Sequence, residues 1–275
     1  MKIKILSLIL VIVFLLSFSA EGEQEKQKIE ILKTSKTIKI DGNFEEYLNL
    51  KPSIKMDNDS FEKLGYNLWE GPEDLSADIY LLWDDENLYV TARVFDDVPF
   101  VNNNEGSDIW NGDCLEVTLG TDEKADPERV YCVKGDYQIG LSPGNNKDIK
   151  PSDWIWRKDD YMGGIEVASR KVERGYLIES KIPFKVLDGF KPQVGRAIGF
   201  DIAVDDADKD ARELQFVWIG TKNFYMDPSE WGIAVLADKK ITLLPPMCVL
   251  LIFLVLGIIF IIIIGSLIIR RYRKA

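Results

Sequence analysis

The chain has 275 residues, a formal net charge of −11, no histidine, three cysteines and seven tryptophans. The lack of histidine excludes nucleophile systems that depend on an imidazole base, and it excludes imidazole metal ligands. Three cysteines are a poor basis for a tetrahedral zinc site, and the negative charge argues against nucleic acid or an anionic membrane surface as a partner. Carboxylates, amides and aromatic rings remain as the groups for binding or chemistry.

The N-terminal residues 1–22 have the three parts of a secretory signal peptide. Lys2 and Lys4 make a basic start, residues 5–16 are apolar, and residues 17–22 are mostly small. An uncleaved N-terminal anchor is the alternative, although the apolar run is short for a membrane span. Residues 23–39 are expected to hold a leader and the first strand.

The C-terminal part predicts a membrane anchor. Residues 247–269 form a 23-residue stretch without a charged side chain, which is long enough to cross the bilayer as a helix. The basic tail at 270–275 predicts a cytoplasmic end, and residues 238–246 form a short stem. The sequence therefore predicts a single-pass protein of the cell membrane, whose partner is the lipid bilayer and whose N-terminal domain lies outside.

The part between these ends reads as β-strands. Apolar and polar residues alternate along 88–95, 114–119, 176–182 and 198–205, and polar turns separate these runs. A sustained helical period is missing, apart from one predicted turn at 184–188. The predicted fold is all-β: a jelly-roll β-sandwich ectodomain followed by one C-terminal transmembrane helix.

The tryptophans divide into two groups. Trp83, Trp218 and Trp231 lie in strand patterns beside apolar neighbours, which predicts that they belong to the core. Trp154 and Trp156 alternate with an isoleucine and therefore share one strand face. The pattern leaves open whether these two rings extend a binding platform or cover one end of the sandwich.

Cys114 and Cys132 fall on two successive predicted strands. If the turn between them is centred near residue 123, the two residues lie almost opposite each other. An exported protein can hold a disulfide across such a hairpin. A disulfide between Cys114 and Cys132 and a pair of free thiols are both open at this point.

Six motifs occur in the order that is typical of one family. They are Ile40-Asp41-Gly42, the segments 77–90 and 109–117, Gly175-Tyr176-Leu177-Ile178-Glu179, the segment 198–207 and the segment 225–232. Together they resemble the family 9 carbohydrate-binding modules, which are jelly-roll sandwiches related to the DOMON domains. The resemblance covers residues 40–237.

The resemblance implies a binding mode for a mono-, oligo- or polysaccharide. Members that bind sugar hold its reducing end between two aromatic rings, which match Trp110 and Tyr225 here. A carboxylate matching Glu116 and an amide matching Asn223 bind hydroxyl groups. Where the family has a basic residue on the strand after the hairpin, this sequence offers only Gln138. The chemistry agrees, since flat rings cover the apolar face of a sugar and polar groups satisfy its hydroxyls.

Carboxylates also predict a cation site. Asp84, Asp96, Asp205 and Asp206 lie in turns or at strand ends, and Ca²⁺ prefers carboxylate and carbonyl oxygens. The family resemblance likewise implies structural calcium. A solvated acidic surface is the alternative.

The main prediction is a non-catalytic carbohydrate-binding module associated with polysaccharide catabolism. A glycoside hydrolase is an alternative, because that chemistry needs two carboxylates and no histidine. A haem-binding electron-transfer domain is another, with ligands drawn from lysine and from Met56, Met162 and Met226. A surface scaffold that binds another protein fits the same fold.

Overall fold

The computed structural model describes residues 26–65 and 67–238, which contain thirteen strands and five single 3-10 turns. The strands are β1 Lys28–Lys33, β2 Ile54–Met56, β3 Glu62–Leu64, β4 Leu75–Trp83, β5 Asn87–Asp96, β6 Cys114–Gly120, β7 Asp136–Ser142, β8 Ser152–Trp156, β9 Glu166–Val172, β10 Gly175–Pro183, β11 Ala197–Asp206, β12 Leu214–Val217 and β13 Gly232–Ala237. The 3-10 turns are Phe44–Glu46, Asp59–Phe61, Gly106–Asp108, Phe184–Val186 and Pro228–Glu230. The turn predicted at 184–188 is confirmed.

The strands form one hydrogen-bonded path in the order β8-β7-β6-β11-β13-β1-β4-β5-β10-β9. Strand β12 pairs with β11 and β3, and β2 pairs with β4. Strand β1 pairs in parallel with β13 and with β4, so it joins the two halves of the path. Apolar side chains from both halves share one core, as in a sandwich. The predicted all-β sandwich is confirmed.

Strand β11 shows how the alternation works and where the structure differs from the prediction. Phe200, Ile202 and Val204 are completely buried in the core, as the period of two predicts. The polar residues Asp201 and Asp205 on the other face are buried as well. They are covered because the chain from residue 212 to residue 220 folds back over this face and donates hydrogen bonds to both carboxylates.

The core tryptophans lie where the sequence predicts. Trp83, Trp218 and Trp231 are all buried. The indole N–H of Trp83 donates to the carbonyl oxygen of Ala237 at 3.0 Å, and that of Trp231 donates to the carbonyl oxygen of Phe224 at 2.5 Å. The indole N–H groups of Trp83 and Trp231 thus both have partners, as burial in a core requires.

The structure decides between the two alternatives left open for Cys114 and Cys132. Cys114 and Cys132 are free thiols, the first buried and the second partly buried. In the β6–β7 register Gly120 lies opposite Asp136, so the connecting loop covers residues 121–135. Cys114 starts β6 at the far end of the hairpin from this loop, whereas Cys132 lies within it, because the loop is longer than the predicted turn.

Among the residues that the structure describes, no helix is long and apolar enough to cross a membrane. The predicted signal peptide (1–22), most of the predicted stem (238–246), the predicted span (247–269) and the basic tail (270–275) lie outside the described residues.

Candidate functional site

An open pocket of about 260 Å³ lies on the polar face of β6 and β7, beside β12. Glu116 on β6 and Gln138 on β7 are diagonal neighbours on this face, since Gln138 pairs with Thr118 in the antiparallel register. Strand β12 adds Gln215, which pairs with Asp205 on β11. The residues that line the pocket are Trp110, Glu116, Gln138, Trp156, Arg212, Gln215, Lys222 and Tyr225.

A buried network of hydrogen bonds makes the floor of the pocket. The carboxylate of Glu116 accepts from the guanidinium of Arg212 at 3.0 Å and from the amide of Gln215 at 3.3 Å. Its other oxygen accepts from the amide of Gln138. The same Arg212 nitrogen donates to Asp205 at 2.9 Å. The floor is therefore preorganised, with its side chains fixed by each other.

The floor holds two acidic groups and one guanidinium. Glu116 and Asp205 are 3% and 1% exposed, and Arg212 bridges them. Burial raises the pKa of Asp205 well above its ordinary value, and the charge of Glu116 adds to this effect. The positive charge of Arg212 lowers the pKa of Asp205 and so acts against both of these effects. The guanidinium therefore offsets the free-energy cost of burying two acidic side chains side by side.

The aromatic walls come from two loops. Trp110 and Tyr225 are 38% and 37% exposed, which leaves part of each ring open to a ligand. Trp110 follows the 3-10 turn Gly106–Asp108, and the guanidinium of Arg212 lies 4.8 Å from its ring centre. Tyr225 sits in a short turn, in which the N–H of Met226 donates to the carbonyl oxygen of Asn223 at 2.9 Å.

Trp156 on β8 adds a third ring to the pocket, whereas Trp154 does not line it. The ring of Trp156 fits because Gly140 on β7 has no side chain: a Cβ there would lie 2.6 Å from the Trp156 ring. The indole N–H of Trp156 donates to the carbonyl oxygen of Ser107 at 3.1 Å. The structure thus separates the two tryptophans that the sequence alone left together.

Four of the five residues predicted to bind ligand line this one pocket: Trp110, Glu116, Gln138 and Tyr225. Asn223 is not among the lining residues. Its carbonyl oxygen closes the turn that carries Tyr225.

Sequence reasoning missed Arg212, Gln215 and Lys222, which also line the pocket. The alternation along β12 could have placed Gln215 on the polar face. Arg212 and Lys222 lie in loops that only the pairing of β11 with β12 brings to the pocket, so the sequence holds no local signal for them.

A second polar cluster lies apart from the floor residues of the pocket. Carboxylate oxygens of Asp96, Asp113 and Asp206 all lie within 4.8 Å of one another, and all three residues are buried. They come from the end of β5, the segment before β6 and the end of β11. Asp96 and Asp206 were predicted to bind metal, whereas Asp113 was missed.

The other two predicted metal ligands, Asp84 and Asp205, lie outside this cluster. Asp84 accepts a hydrogen bond from the hydroxyl of Tyr89 at 2.7 Å, in the β4–β5 turn. Asp205 points into the pocket floor and binds Arg212. The reason is the period of two: adjacent residues such as Asp205 and Asp206 point to opposite faces of the strand.

The chemistry of the Asp96, Asp113 and Asp206 cluster fits a hard divalent cation. Burial, followed by repulsion between the carboxylates, raises the pKa of Asp96 and of Asp206 to about 9. Burial raises the pKa of Asp113 to about 7. None of the ion pairs found between residues 26 and 238 reaches this cluster. Three buried carboxylates without a protein cation are a suitable donor set for Ca²⁺.

The methionines considered as haem ligands lie in unlike surroundings. Met56 is completely buried in the main core, whereas Met162 and Met226 are 94% and 48% exposed. This arrangement does not favour a haem site built from them.

The sequence model described as carbohydrate family 9 binding domain-like matches residues 40–239. The chain belongs to this family. The prediction of a family 9 carbohydrate-binding module is therefore confirmed, and the relation to the DOMON domains stays a prediction.

Curated relatives carry the module as a small part of a larger protein. The chain is 27% identical over 195 residues to endo-1,4-beta-xylanase A of Thermotoga neapolitana, a match that covers 70% of this chain and 16% of that protein. It is 28% identical over 204 residues to exoglucanase XynX of Acetivibrio thermocellus, covering 73% of this chain and 16% of that protein. The chain thus spans only about a sixth of the length of these relatives. The family supports the predicted non-catalytic module and not the glycoside hydrolase alternative.

Solved structures show the same fold. A family 9 carbohydrate-binding module from Caldicellulosiruptor kristjanssonii in complex with cellotriose has a TM-score of 0.58 and 19% identity, covering 80% of this chain and 98% of that one. The same organism's module in complex with glucose has a TM-score of 0.56 and 20% identity, covering 80% and 100%. At this level of identity the likeness establishes the fold alone.

Proposed function

We propose that the chain binds a carbohydrate in the pocket between Trp110 and Tyr225. The observation that carries the proposal is the combination of two part-exposed aromatic rings with a buried floor of fixed polar groups. The apolar C–H face of a sugar suits the rings, and its hydroxyls both donate and accept, so they suit carboxylate, amide and guanidinium groups alike. The family match supports this function.

The size of the pocket favours a short ligand or the end of a longer one. Its volume of about 260 Å³ lies just below the range of roughly 300–1,000 Å³ for small-molecule sites. We therefore propose that one sugar ring enters the pocket and that any further units lie outside it. Glucose and cellotriose, which the structural neighbours hold, are the first ligands to try.

The test is a calorimetric titration of the purified full-length chain with glucose, cellotriose and xylo-oligosaccharides. We expect Trp110→Ala to weaken sugar binding by more than tenfold, because the ring loses its stacking contact while the floor network stays. Met162→Ala, which alters an exposed side chain outside the pocket, is the control. Equal sugar affinity in both variants would refute the site.

We further propose that Asp96, Asp113 and Asp206 hold a structural Ca²⁺. The cation would supply the positive charge that balances three buried carboxylates. Asp113 accepts a hydrogen bond from the backbone N–H of Ala207 at 3.1 Å, which joins the segment before β6 to the residue that follows β11.

Finally, we propose that the module acts outside the cell on a membrane tether and takes part in the breakdown of polysaccharides. The tether rests on the uncharged residues 247–269 and the basic residues 270–275. The role in breakdown rests on the xylanase and exoglucanase relatives. Cell fractionation tests the tether by comparing the full-length chain with a chain that ends at residue 246. If both chains were found in the soluble fraction, the proposed tether would be contradicted.

A further inference from the structure

Arg157 occupies an unusual position at the edge of the pocket. It directly follows β8, whose last residue, Trp156, pairs with Gln138 on β7. Its backbone has a φ of 62°, in the left-handed region that residues other than glycine rarely adopt. A long, charged residue in that conformation beside a binding pocket indicates a functional constraint on its backbone.

The guanidinium of Arg157 contacts both the floor and one wall of the pocket. One of its nitrogens donates to the side-chain oxygen of Gln138 at 3.3 Å. The other donates to the backbone carbonyl oxygen of Tyr225 at 2.8 Å. A single planar group therefore joins β7 to the turn that carries the second aromatic ring.

This contact completes a chain of polar groups across the pocket. Arg212 lies against the Trp110 ring and donates to Glu116 at 3.0 Å. Glu116 in turn accepts from Gln138. With Arg157 added, the chain runs without a break from one aromatic wall to the backbone of the other.

We infer that Arg157 is a positioning residue for sugar binding, which fixes the amide of Gln138 and the backbone of Tyr225 together. The inference rests on the proposed carbohydrate-binding function.

The amide of Gln138 has one satisfactory orientation between these partners. A guanidinium only donates hydrogen bonds, whereas the oxygen of an amide only accepts them. The amide oxygen must therefore face Arg157, and the amide nitrogen must face Glu116. Without Arg157 the amide loses the partner that sets this orientation, and its second N–H is no longer held in a fixed direction for a sugar hydroxyl.

The chain offers a matched control for this residue. Arg174 is also an arginine with positive φ, 60°, and it lies in the exposed turn between β9 and β10, paired with Glu73. Asparagine adopts positive φ more readily than most residues, so it can replace either arginine without adding backbone strain. Arg157→Asn and Arg174→Asn therefore change the backbone alike and differ in their contacts with the pocket.

We expect Arg157→Asn to bind cellotriose and glucose about tenfold more weakly than Arg174→Asn, because both hydrogen bonds of the guanidinium are lost and part of that loss is felt by the bound sugar. The two variants should share the same thermal midpoint. Arg157→Lys should bind as weakly as Arg157→Asn, because an ammonium does not reproduce the planar fork that reaches both acceptors.

A double variant separates a positioning role from a general loss of structure. Gln138→Ala removes the amide that Arg157 orients, so adding Arg157→Asn to this variant should weaken sugar binding by a smaller factor than it does in the wild-type chain. A purely structural defect at residue 157 would instead lower the affinity by the same factor in both backgrounds. Equal affinity of Arg157→Asn and Arg174→Asn for both sugars would overturn the inference.

Hydrogen exchange provides a readout that does not depend on sugar. Arg157→Asn should speed amide exchange in residues 222–227, since the turn loses its anchor at the Tyr225 carbonyl. Arg174→Asn should leave this segment unchanged. If the wild-type chain binds neither sugar, the proposed function fails, and unchanged exchange in Arg157→Asn then rejects the positioning role separately.

Discussion

Gly140 lies on β7 directly under the ring of Trp156. A Cβ at this position would come within 2.6 Å of the Trp156 ring and 2.9 Å of the Ile109 side chain. These distances are too short for non-bonded carbon atoms. The third aromatic ring of the pocket therefore depends on the absence of one methyl group in the strand beside it.

Gly140→Ala should displace the Trp156 ring, weaken cellotriose binding and lower the free energy of unfolding by about 1–3 kcal/mol, as overpacking does. Calorimetric titration and urea unfolding measure the two effects. Gly199→Ala is the control, because its Cβ would lie 3.1 Å from Trp231, outside the pocket. That variant should lose stability and keep its sugar affinity, and the same behaviour in Gly140→Ala would contradict the prediction.

Glu116 and Arg212 differ in whether the sequence alone predicts them as site residues. The motif around Trp110 and the alternation of β6 lead directly to Glu116. Nothing near Arg212 in the sequence marks it, since the segment from 207 to 213 resembles any charged turn. It becomes a site residue because two buried carboxylates require a cation between them, and that requirement appears only when β11 and β6 are paired.

Three elements meet at the carboxylate cluster of Asp96, Asp113 and Asp206. Two of these residues end strands, and the third immediately precedes one. The folded pKa of each lies above the value of about 4 that aspartate has in an unfolded chain. The contribution of the cluster to stability is therefore present in full below about pH 4 and is lost as the pH rises through about 7 for Asp113 and about 9 for Asp96 and Asp206.

Calcium should reverse this loss, because it binds the ionised carboxylates. We expect a chelator to lower the thermal midpoint more at pH 8 than at pH 5, and saturating Ca²⁺ at about 100 times its dissociation constant to add about 2.7 kcal/mol. Asp113→Asn should lose the response to Ca²⁺. Asp84→Asn, at the predicted ligand that lies outside the cluster, should keep it. A thermal midpoint that does not change when Ca²⁺ is added, at either pH, would rule out the metal site.

At the scale of elements, the sequence predicted the positions of the strands better than the segments that pack against them or connect them. The period of two placed β5, β6, β10 and β11 correctly, because burial of one face forces alternation. It did not reveal that the polar face of β11 is covered too. The length of the β6–β7 loop was also underestimated, and a disulfide between Cys114 and Cys132 was left open for that reason. Covering segments and loop lengths depend on contacts between distant residues, which a periodic pattern does not contain.

At the scale of the whole molecule, β1 connects the two halves of the sheet path. It pairs with β13 over five residue pairs and with β4 over two, both in parallel. Ile31, near its middle, is completely buried in the core that both halves share. The two halves therefore have neither separate cores nor separate edges at this strand, and we expect residues 26–238 to unfold as one cooperative unit.

Ile31→Ala tests this cooperativity. Removing three buried carbon atoms from the shared core should lower the free energy of unfolding by about 2–5 kcal/mol. The loss should appear equally in tryptophan fluorescence and in far-ultraviolet circular dichroism, because tryptophans lie in both halves, with Trp83 on β4 and Trp154 on β8. Lys28→Ala, at an exposed position of the same strand, should change the midpoint little. Two separate transitions in the Ile31 variant would show that the halves are independent, and β1 would then be a cover on one half instead of the link between them.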